Sequence, residues 1–192
     1  SDISISSDDN EIIETASQYG LETKYIRPNN LATDDAGKIE TIKDVLNYHE
    51  KLNNKKYDFI LDLDVTSPLR TINDLITAFN EMNQNLDALN IFSVNKANRN
   101  PYFNMVEQNN DGFYSKVKDG IFLSRQSAPD VYDMNASFYF YRRIYFEENI
   151  KTSISKKSLI YIMPHICFDL DNPADFDYME YLLSNNKLNF KI

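Results

Sequence analysis

Short apolar runs alternate with helix-length amphipathic segments along most of this chain, and this alternation limits the folds available to it. The run YDFILDLDV (57–65) is apolar enough for a buried strand, and INDLITAFNEMNQ (72–84) follows it with apolar residues at helical spacing. ALNIFSV (88–94) is a further strand-like run. Strands separated by helices are typical of a mostly parallel sheet with helices on both faces. The sequence therefore predicts a Rossmann-like α/β fold.

The alternation continues toward both ends of the chain. On the N-terminal side we expect two strands and two helices, and on the C-terminal side one strand followed by a final helix. These predicted elements are the strands at 3–6, 23–28 and 159–164 and the helices at 11–20, 38–52 and 173–185.

Capping residues mark the predicted helix ends. Asp9 or Asn10 precedes the first helix, and Gly20 follows it at the position where glycine favours a left-handed backbone. Asp34 and Asp35 are the candidate caps of the second helix. The predicted helices therefore have local start and stop signals.

The pattern changes in the middle of the chain. From residue 98 to about residue 141, short aromatic segments lie between polar turns, and none has the length of a helix. We expect residues 96–141 to form a β-rich excursion from the main sheet. With 192 residues, of which 42% are hydrophobic, the chain fits one domain spanning 1–192 that includes this excursion.

Charge and composition exclude some classes of function. A net charge of −9 argues against a nucleic-acid binder with a broad basic surface, and it requires local cations or a metal wherever an anion binds. No apolar run reaches the roughly 18–20 residues of a membrane span, and because residues 1–20 are polar and acidic, no signal peptide is expected there. The single cysteine, Cys167, lies in an apolar run and is expected to be a buried, inert thiol. A cytoplasmic location is expected.

One candidate site follows the clearest strand. In LDLDVTSPLRT, four polar residues fall beyond the carboxyl end of the strand, where α/β proteins collect ligand groups. The guanidinium of one of them, Arg70, offers a planar fork for a carboxylate or phosphate. The alternative is a polar turn capped by Thr71. The four candidates are Asp64, Thr66, Ser67 and Arg70.

A second candidate site lies at the end of the last predicted strand. Asp169 and Asp171 are separated by one residue, and side chains at that spacing in a strand point to the same side. Two close carboxylates repel unless a cation or a proton lies between them, and Mg²⁺ favours a few carboxylates completed by water and phosphate oxygens. The alternative is an ordinary helix entry with Asn172 as N-cap and Pro173 at the first helical position, which explains Asp169 poorly.

Three further groups of residues are candidates for binding or catalysis. Arg27 and Lys38 could meet an anion, although two exposed basic side chains are the simpler interpretation. Polar residues inside the aromatic section could recognise a polyhydroxylated ligand, although such strands are more often core or subunit interface. Both histidines are expected to be structural, because neither has an orienting partner nearby in sequence. The polar residues are Arg125, Gln126 and Asn135, and the histidines are His49 and His165.

Six segments occur in this order along the chain: SSDDNEIIETASQYG, RPNNLATDDAGK, LDLDVTSPLRT, NPYFNM, RQSAPDVYDMNASFYFY and FDLDNPADF. Together they resemble a known family, the cytidylyltransferases that activate sialic acid and related nonulosonic acids. That family includes the CMP-sialate, CMP-legionaminate and CMP-pseudaminate synthetases. The resemblance implies an enzyme that joins CTP to a nine-carbon α-keto acid sugar, giving the CMP-sugar and pyrophosphate.

The resemblance also implies roles for individual residues. Asp169 and Asp171 would be catalytic residues that hold Mg²⁺ on the triphosphate. Residues 96–141 would form a dimerisation element, so that a homodimer is expected. The nucleotide pocket would involve Ser7, Asp8, Arg27 and Lys38, and the sugar site Asp64, Thr66, Ser67, Arg70, Arg125, Gln126, Asn135 and Tyr139.

Departures from the family pattern shape these expectations. The family's N-terminal strand and basic, glycine-containing phosphate loop are missing from the sequence, which allows an impaired remnant that binds nucleotide or sugar without turnover. Phe103, Asp133 and Asp64 replace a lysine, an arginine and a glutamine common in sialate-specific members. These changes favour a legionaminate or pseudaminate substrate over sialic acid. Another keto-acid sugar is a further alternative, although NPYFNM and MNASFYFY argue against it.

Overall fold

The computed structural model describes residues 2–148 and 150–191. No helix in this part of the chain is both long enough and apolar enough to cross a membrane. The helices are α1 (Asn10–Gln18), α2 (Lys38–Asn53), α3 (Ile72–Gln84) and α4 (Pro173–Ser184). The strands are β1 (Phe59–Leu63), β2 (Asn90–Lys96), β3 (Val106–Gln108), β4 (Tyr114–Lys116), β5 (Tyr132–Arg142) and β6 (Ser158–Ile162).

Two sheets are formed by these strands. The main sheet has four strands in the order β1-β5-β2-β6, so strands that are neighbours in the sheet are not consecutive in the chain. β3 and β4 form a separate antiparallel pair in which Val106 lies opposite Lys116 and Gln108 opposite Tyr114. Helices precede or follow most strands of the main sheet, and the predicted α/β fold class is confirmed.

The strand β5 lies inside the main sheet, between β1 and β2. Its residues Phe138 to Tyr141 are all less than a tenth exposed, as expected of a strand covered on both faces. The prediction that residues 96–141 leave the main sheet is therefore wrong for this strand. A continuous aromatic run indicates burial, but it does not indicate which sheet the strand joins.

The ends of α1 agree with the sequence. The Asp9 carboxylate accepts a hydrogen bond of 2.7 Å from the amide of Glu11, which caps the N-terminus. At the other end the amides of Gly20 and Leu21 donate to carbonyls in the last turn, and Gly20 has a φ of 85°. This is the arrangement that favours glycine at C′.

The start of α2 differs from the prediction. Its N-cap is Gly37, which offers no side-chain cap. Asp34 and Asp35 lie in a turn before it, too far from the first helical residue to act as N-cap. The predicted aspartate cap is therefore wrong.

The segments 3–6 and 23–28, predicted as strands, have no strand assignment. They lie next to each other, since the amide of Arg27 donates to the carbonyl of Ser7 over 2.9 Å and the hydroxyls of Ser4 and Thr23 are 3.0 Å apart. A strand needs a repeating ladder of backbone bonds with a partner, and isolated bonds do not supply one. Strand-like composition alone was therefore insufficient here.

The chain divides into two compact units. The first comprises Ser1–Asp62, Met82–Ile91 and Tyr139–Leu159, and its buried side chains include Tyr25, Ile39, Leu46, Tyr141, Tyr145 and Phe146. The second comprises Leu63–Glu81, Phe92–Phe138 and Ile160–Ile192, and its buried side chains include Leu69, Ala78, Val94, Phe138, Met163, Met179 and Leu182.

Candidate functional site

Residues 64–71 follow β1 in the second unit and form a turn that is held by hydrogen bonds between its own residues. This turn is here called the TSPLR loop. The Asp64 carboxylate accepts hydrogen bonds from the amide and the hydroxyl of Thr66, at 3.3 and 3.0 Å. The Nη1 atom of Arg70 donates to the carbonyls of Asp64 and Ser67, at 3.0 and 2.8 Å. Side chains of the loop thus fix the loop's own backbone.

The TSPLR loop is also fastened to β5. Arg70 Nη1 donates to the carbonyl of Ser137 over 2.8 Å, and the Ser137 hydroxyl donates to the carbonyl of Ser67 over 3.0 Å. The Ser67 hydroxyl donates to the carbonyl of Asn135 over 2.7 Å. Because Ser67 and Ser137 are fully buried, these bonds hold the loop in one position.

Asn135 is buried in the same network. Its Oδ1 atom accepts from the Ser93 hydroxyl at 2.6 Å, and its Nδ2 atom donates to Asn95 Oδ1 at 3.0 Å. Membership of Ser67 and Asn135 in the sugar site stays a prediction. Because both side chains are buried and bonded within the protein, we expect them to act there by holding the loop and β5 together.

The residue after Asn135, Ala136, has a φ of 54°, in the left-handed region. An alanine there is strained by about 1–2 kcal/mol, because its Cβ crowds the following carbonyl oxygen. The buried bonds on either side, made by Asn135 and Ser137, hold this strained peptide in place.

The residues between β6 and α4, 163–171, are here called the acidic segment. Since β6 ends at Ile162, Asp169 and Asp171 lie outside any strand, and strand periodicity does not explain their orientation. Hydrogen bonds attach the acidic segment to the TSPLR loop and to β2. The Leu170 amide donates to the carbonyl of Thr66 over 2.9 Å, and the Asn95 side-chain amide donates to the carbonyl of Cys167.

The helix entry after the acidic segment is confirmed. Asn172 is the N-cap of α4, and its Oδ1 atom accepts from the amides of Ala174 and Asp175, at 3.0 and 3.3 Å. In return the Asp175 carboxylate accepts from the amides of Asp171 and Asn172, each at 3.1 Å. The cap thus involves the backbone of Asp171, and it gives no role to the Asp169 carboxylate.

The donor set of the acidic segment fits one kind of metal site. Among the described residues, no group of three or more histidine, cysteine, aspartate or glutamate side chains is arranged to hold a metal. Mg²⁺ is commonly bound through one or two carboxylates, with water and substrate phosphates completing its six ligands. The carboxylates of Asp169 and Asp171 could therefore hold a divalent cation whose other ligands are water and phosphate oxygens.

In the first unit, Arg27 is fixed against the N-terminal segment. Its Nη2 atom donates to the carbonyl of Ser6 over 2.6 Å, and its Nε atom donates to the Ser6 hydroxyl over 3.1 Å. Ser7 is buried, and its hydroxyl accepts from the amide of Asp9, whereas Asp8 is exposed. The structure thus brings Arg27 and Ser7 together.

Lys38, the first residue of α2, has two neighbours that sequence reasoning did not connect. Its Nζ atom is 2.9 Å from Asp62 Oδ2 and 4.4 Å from the centre of the Tyr139 ring. Asp62 was missed, although it lies near the end of β1, two residues before Asp64. The cation of Lys38 therefore lies between a carboxylate and an aromatic face.

The two remaining candidates lie in the excursion. The Nη2 atom of Arg125 donates to the carbonyls of Ala97 and Asn98, at 2.8 and 2.7 Å. Gln126 is exposed in the same 3₁₀ turn, Arg125–Ser127. Arg125 thus connects the turn to the residues that follow β2.

His165, expected to be structural because no orienting partner lies nearby in sequence, has a partner 91 residues away in the chain. Its Nε2 atom is 3.0 Å from Asp74 Oδ2, and the Tyr161 hydroxyl donates to Asp74 Oδ1 over 2.9 Å. Burial alone would raise the pKa of Asp74, but hydrogen bonds from Thr71 and His165 hold that pKa below its usual value. Sequence reasoning missed the pair because Asp74 lies on α3, far from His165 in the chain.

Cys167 agrees with its prediction. The thiol is buried, and burial raises its pKa, so that it stays protonated at neutral pH. Its neighbours Phe168 and His165 help to line a shallow pocket of about 510 Å³ in the second unit.

Comparison with known proteins gives consistent matches. A family model described as Cytidylyltransferase matches residues 1–191. The chain is 38% identical over 190 residues to the post-translational flagellin modification protein B of Campylobacter coli, covering 98% of this chain and 80% of that protein. It is 37% identical over 189 residues to the CMP-N,N'-diacetyllegionaminic acid synthase of Campylobacter jejuni, with coverage of 98% and 80%.

A solved structure shares the fold. It is CMP:2-keto-3-deoxy-manno-octonic acid synthetase complexed with CTP, which matches with a TM-score of 0.64 and 12% sequence identity, over 97% of this chain and 82% of that one. At this identity the likeness bears on the fold alone. The family model and the two relatives confirm the resemblance seen in the six sequence segments, and the chain belongs to the cytidylyltransferase family.

Proposed function

We propose that this chain transfers the cytidylyl group of CTP to a nonulosonic acid of the legionaminic type and releases pyrophosphate. The choice of sugar rests on the 37% identity to a CMP-N,N'-diacetyllegionaminic acid synthase. The observation that carries the proposal is the match of the Cytidylyltransferase family model to residues 1–191, together with that relative. Within the chain, a hydrogen bond from the Leu170 amide to the Thr66 carbonyl joins the segment we assign to the metal to the loop we assign to the sugar.

The reaction is a substitution at phosphorus. The anomeric oxygen of the sugar forms a bond to the α-phosphorus of CTP, the bond from that phosphorus to the bridging oxygen of the β-phosphate breaks, and pyrophosphate leaves with the electron pair. The proton of the anomeric hydroxyl passes to solvent or to a nearby base. Because no covalent enzyme intermediate is needed, the protein contributes by orienting the reactants and by balancing charge.

Asp169 and Asp171 are the residues we assign to Mg²⁺. When bound, the ion supplies positive charge to the phosphate oxygens, which offsets the net charge of −9 that would otherwise repel CTP. The two carboxylates would hold the ion, and the backbone between them is bonded to the TSPLR loop through the Leu170 amide and the Thr66 carbonyl.

The remaining residues are assigned to the two substrates. We assign Ser7, Asp8, Arg27 and Lys38 to the nucleotide, with Asp62 orienting the Lys38 ammonium. For the sugar, the direct contacts are assigned to Asp64, Thr66 and Gln126. Tyr139 is buried, and its ring centre lies 4.4 Å from the Lys38 ammonium, so we assign Tyr139 to positioning Lys38. Ser67, Arg70, Arg125 and Asn135 act through the backbone atoms that they hold.

We further propose a homodimer formed through residues 96–131, the part of the predicted excursion (96–141) that precedes β5. Large apolar side chains are exposed there, including Phe113 at 73% and Ile121 and Leu123 at 93% each. Burial of these side chains against a partner would remove apolar surface from water, which is favourable. A second copy of the chain is the partner proposed.

The proposed activity is tested by incubating the 192-residue chain with CTP, Mg²⁺ and one sugar at a time, and measuring pyrophosphate and CMP-sugar. The panel contains legionaminic, pseudaminic and sialic acids and an eight-carbon keto-acid sugar. We expect turnover with the legionaminic acid, and none when UTP replaces CTP or when EDTA is present. Calorimetric binding of CTP without pyrophosphate release from any sugar would contradict the proposal and would support a binding protein without turnover.

A further inference from the structure

Asp74 and His165 form a nearly buried pair in the second unit, with 2% and 6% of their side chains exposed. The Asp74 carboxylate accepts hydrogen bonds from the amide and the hydroxyl of Thr71, at 2.7 and 2.6 Å, and from the Tyr161 hydroxyl. The His165 ring, bonded to the same carboxylate, is stacked on Phe190 with 3.7 Å between ring centres. The ring is thus held from its edge and from its face.

This pair lies at one end of a stretch that is anchored at both ends. His165 begins the stretch and is bonded to Asp74, just after the TSPLR loop, in the first turn of α3. The amide of Leu170 ends it and is bonded to Thr66, inside the loop. Between them the Asn95 side chain donates to the carbonyl of Cys167. Asp169 lies within the anchored stretch.

Anchors of this kind matter because the acidic segment has no regular secondary structure of its own. In a helix or strand, regularly repeated backbone hydrogen bonds would fix the backbone. In the acidic segment, the backbone is fixed by the few hydrogen bonds described above. Buried hydrogen bonds to a charged group are typically among the stronger ones. Loss of the anchor at His165 should therefore loosen the backbone up to Leu170.

We propose that the Asp74–His165 pair is a positioning element that fixes residues 165–170 against the TSPLR loop and thereby sets where Asp169 is presented. Neither side chain is assigned a contact with substrate. The effect on metal binding rests on the proposed function, whereas the effect on backbone order does not.

The backbone effect is tested by amide hydrogen exchange in three variants of the whole chain. His165→Ala removes the anchor, His165→Gln keeps an N–H that can reach Asp74, and His49→Ala alters the other histidine, which lies in the first unit. We expect exchange of the amides between residues 166 and 170 to accelerate about tenfold or more in His165→Ala and much less in His165→Gln. His49→Ala and the amides of α2 serve as references and should not change in this stretch.

The functional effect is tested through the Mg²⁺ dependence of the reaction. Residues that orient metal ligands change metal affinity by about 10–100-fold when removed, so the half-saturating Mg²⁺ concentration should rise about tenfold or more in His165→Ala. At saturating Mg²⁺ the KM for CTP should change little, and His165→Gln should recover most of the affinity.

Two results would overturn the inference. One is exchange in His165→Ala that is unchanged or that accelerates equally in both units, as expected of a general loss of stability. The other is a half-saturating Mg²⁺ concentration that stays constant while the stretch loosens. If the unaltered chain shows no turnover at all, the proposed function fails, and Mn²⁺ binding measured by calorimetry in the presence of CTP replaces the Mg²⁺ dependence as the deciding measurement.

Discussion

The amide of Leu170 donates a hydrogen bond of 2.9 Å to the carbonyl oxygen of Thr66. Leu170 separates two aspartates assigned to a metal, and Thr66 belongs to a loop assigned to the sugar. The bond fixes the distance between two segments that are far apart in sequence. An in-line substitution at phosphorus requires such a fixed distance, because a displacement of the reacting groups by about 1 Å can lower the rate of reaction about 100-fold.

The assignment of the metal to the acidic segment predicts the effect of removing each carboxylate. Asp169→Asn and Asp171→Asn should each lower kcat/KM about 100-fold or more, because the charge that holds the metal is halved while side-chain size is kept. Pyrophosphate release at several Mg²⁺ concentrations measures this loss.

Asp177→Asn is the matched control for the two aspartates. Asp177 is an exposed carboxylate on α4, so its neutralisation changes the net charge equally but removes no proposed ligand. Equal losses in all three variants would show that net charge, and not a metal site, is responsible.

The left-handed backbone at Ala136 predicts a stabilising substitution. Ala136→Gly should raise the free energy of unfolding by about 0.5–1 kcal/mol, because relief of Cβ strain exceeds the greater backbone entropy that glycine loses on folding. Urea denaturation measures the change. The same substitution at Ala78, a buried residue in α3, should destabilise the chain by about 1 kcal/mol or more. A loss of stability in Ala136→Gly would mean that the alanine methyl makes contacts worth more than the strain.

Features encoded by neighbouring residues could be predicted from the sequence. The bounds predicted for α3 agree with the structure, and those for α4 differ by one residue, because capping residues and apolar spacing act within a few residues. The predicted strands at 3–6 and 23–28 failed because a ladder depends on a distant partner. The place of β5 in the main sheet was missed for the same reason.

In the candidate site, too, the features that could be predicted are those encoded by residues close together in sequence. The TSPLR loop and the acidic segment were found because their polar residues cluster in sequence. The pairs Lys38–Asp62 and Asp74–His165 were not found, because each joins residues from different elements. The burial of Asn135 could not be predicted from the sequence either, because an asparagine in an aromatic run is compatible with a ligand contact and with a buried side-chain amide.

The proposed dimer predicts that charge in the excursion prevents association. The double variant Ile121→Glu and Leu123→Glu should weaken dimerisation at least tenfold, because two exposed apolar side chains are replaced by charges that resist burial. Analytical ultracentrifugation over a range of concentrations measures it. Leu86→Glu is the control, since Leu86 is also largely exposed but lies outside the excursion. A chain that is monomeric before any substitution would refute the proposal directly.

The buried ion pair of the first unit predicts how stability depends on pH. Glu50 has 5% of its side chain exposed and is bonded to Arg143 at 2.6 and 3.1 Å. Hydrogen bonding to Arg143 outweighs burial and lowers the pKa of Glu50 from 4.5 to about 2. This pKa is lower in the folded chain than in the unfolded one. The ionised Glu50 carboxylate therefore adds its full contribution to the free energy of unfolding above about pH 4.5, and that contribution is lost as the pH falls toward 2.

Glu50→Gln should therefore lower the free energy of unfolding by about 2 kcal/mol at pH 7, and the difference from the unaltered chain should shrink steadily below pH 4.5. Urea denaturation at a series of pH values measures both effects. Glu147→Gln is the matched control, because Glu147 also pairs with Arg143 but is 58% exposed, so its loss should change stability by less than about 1 kcal/mol. A Glu50→Gln deficit that stays constant down to pH 3 would show that lost packing, and not the charge of Glu50, sets its size.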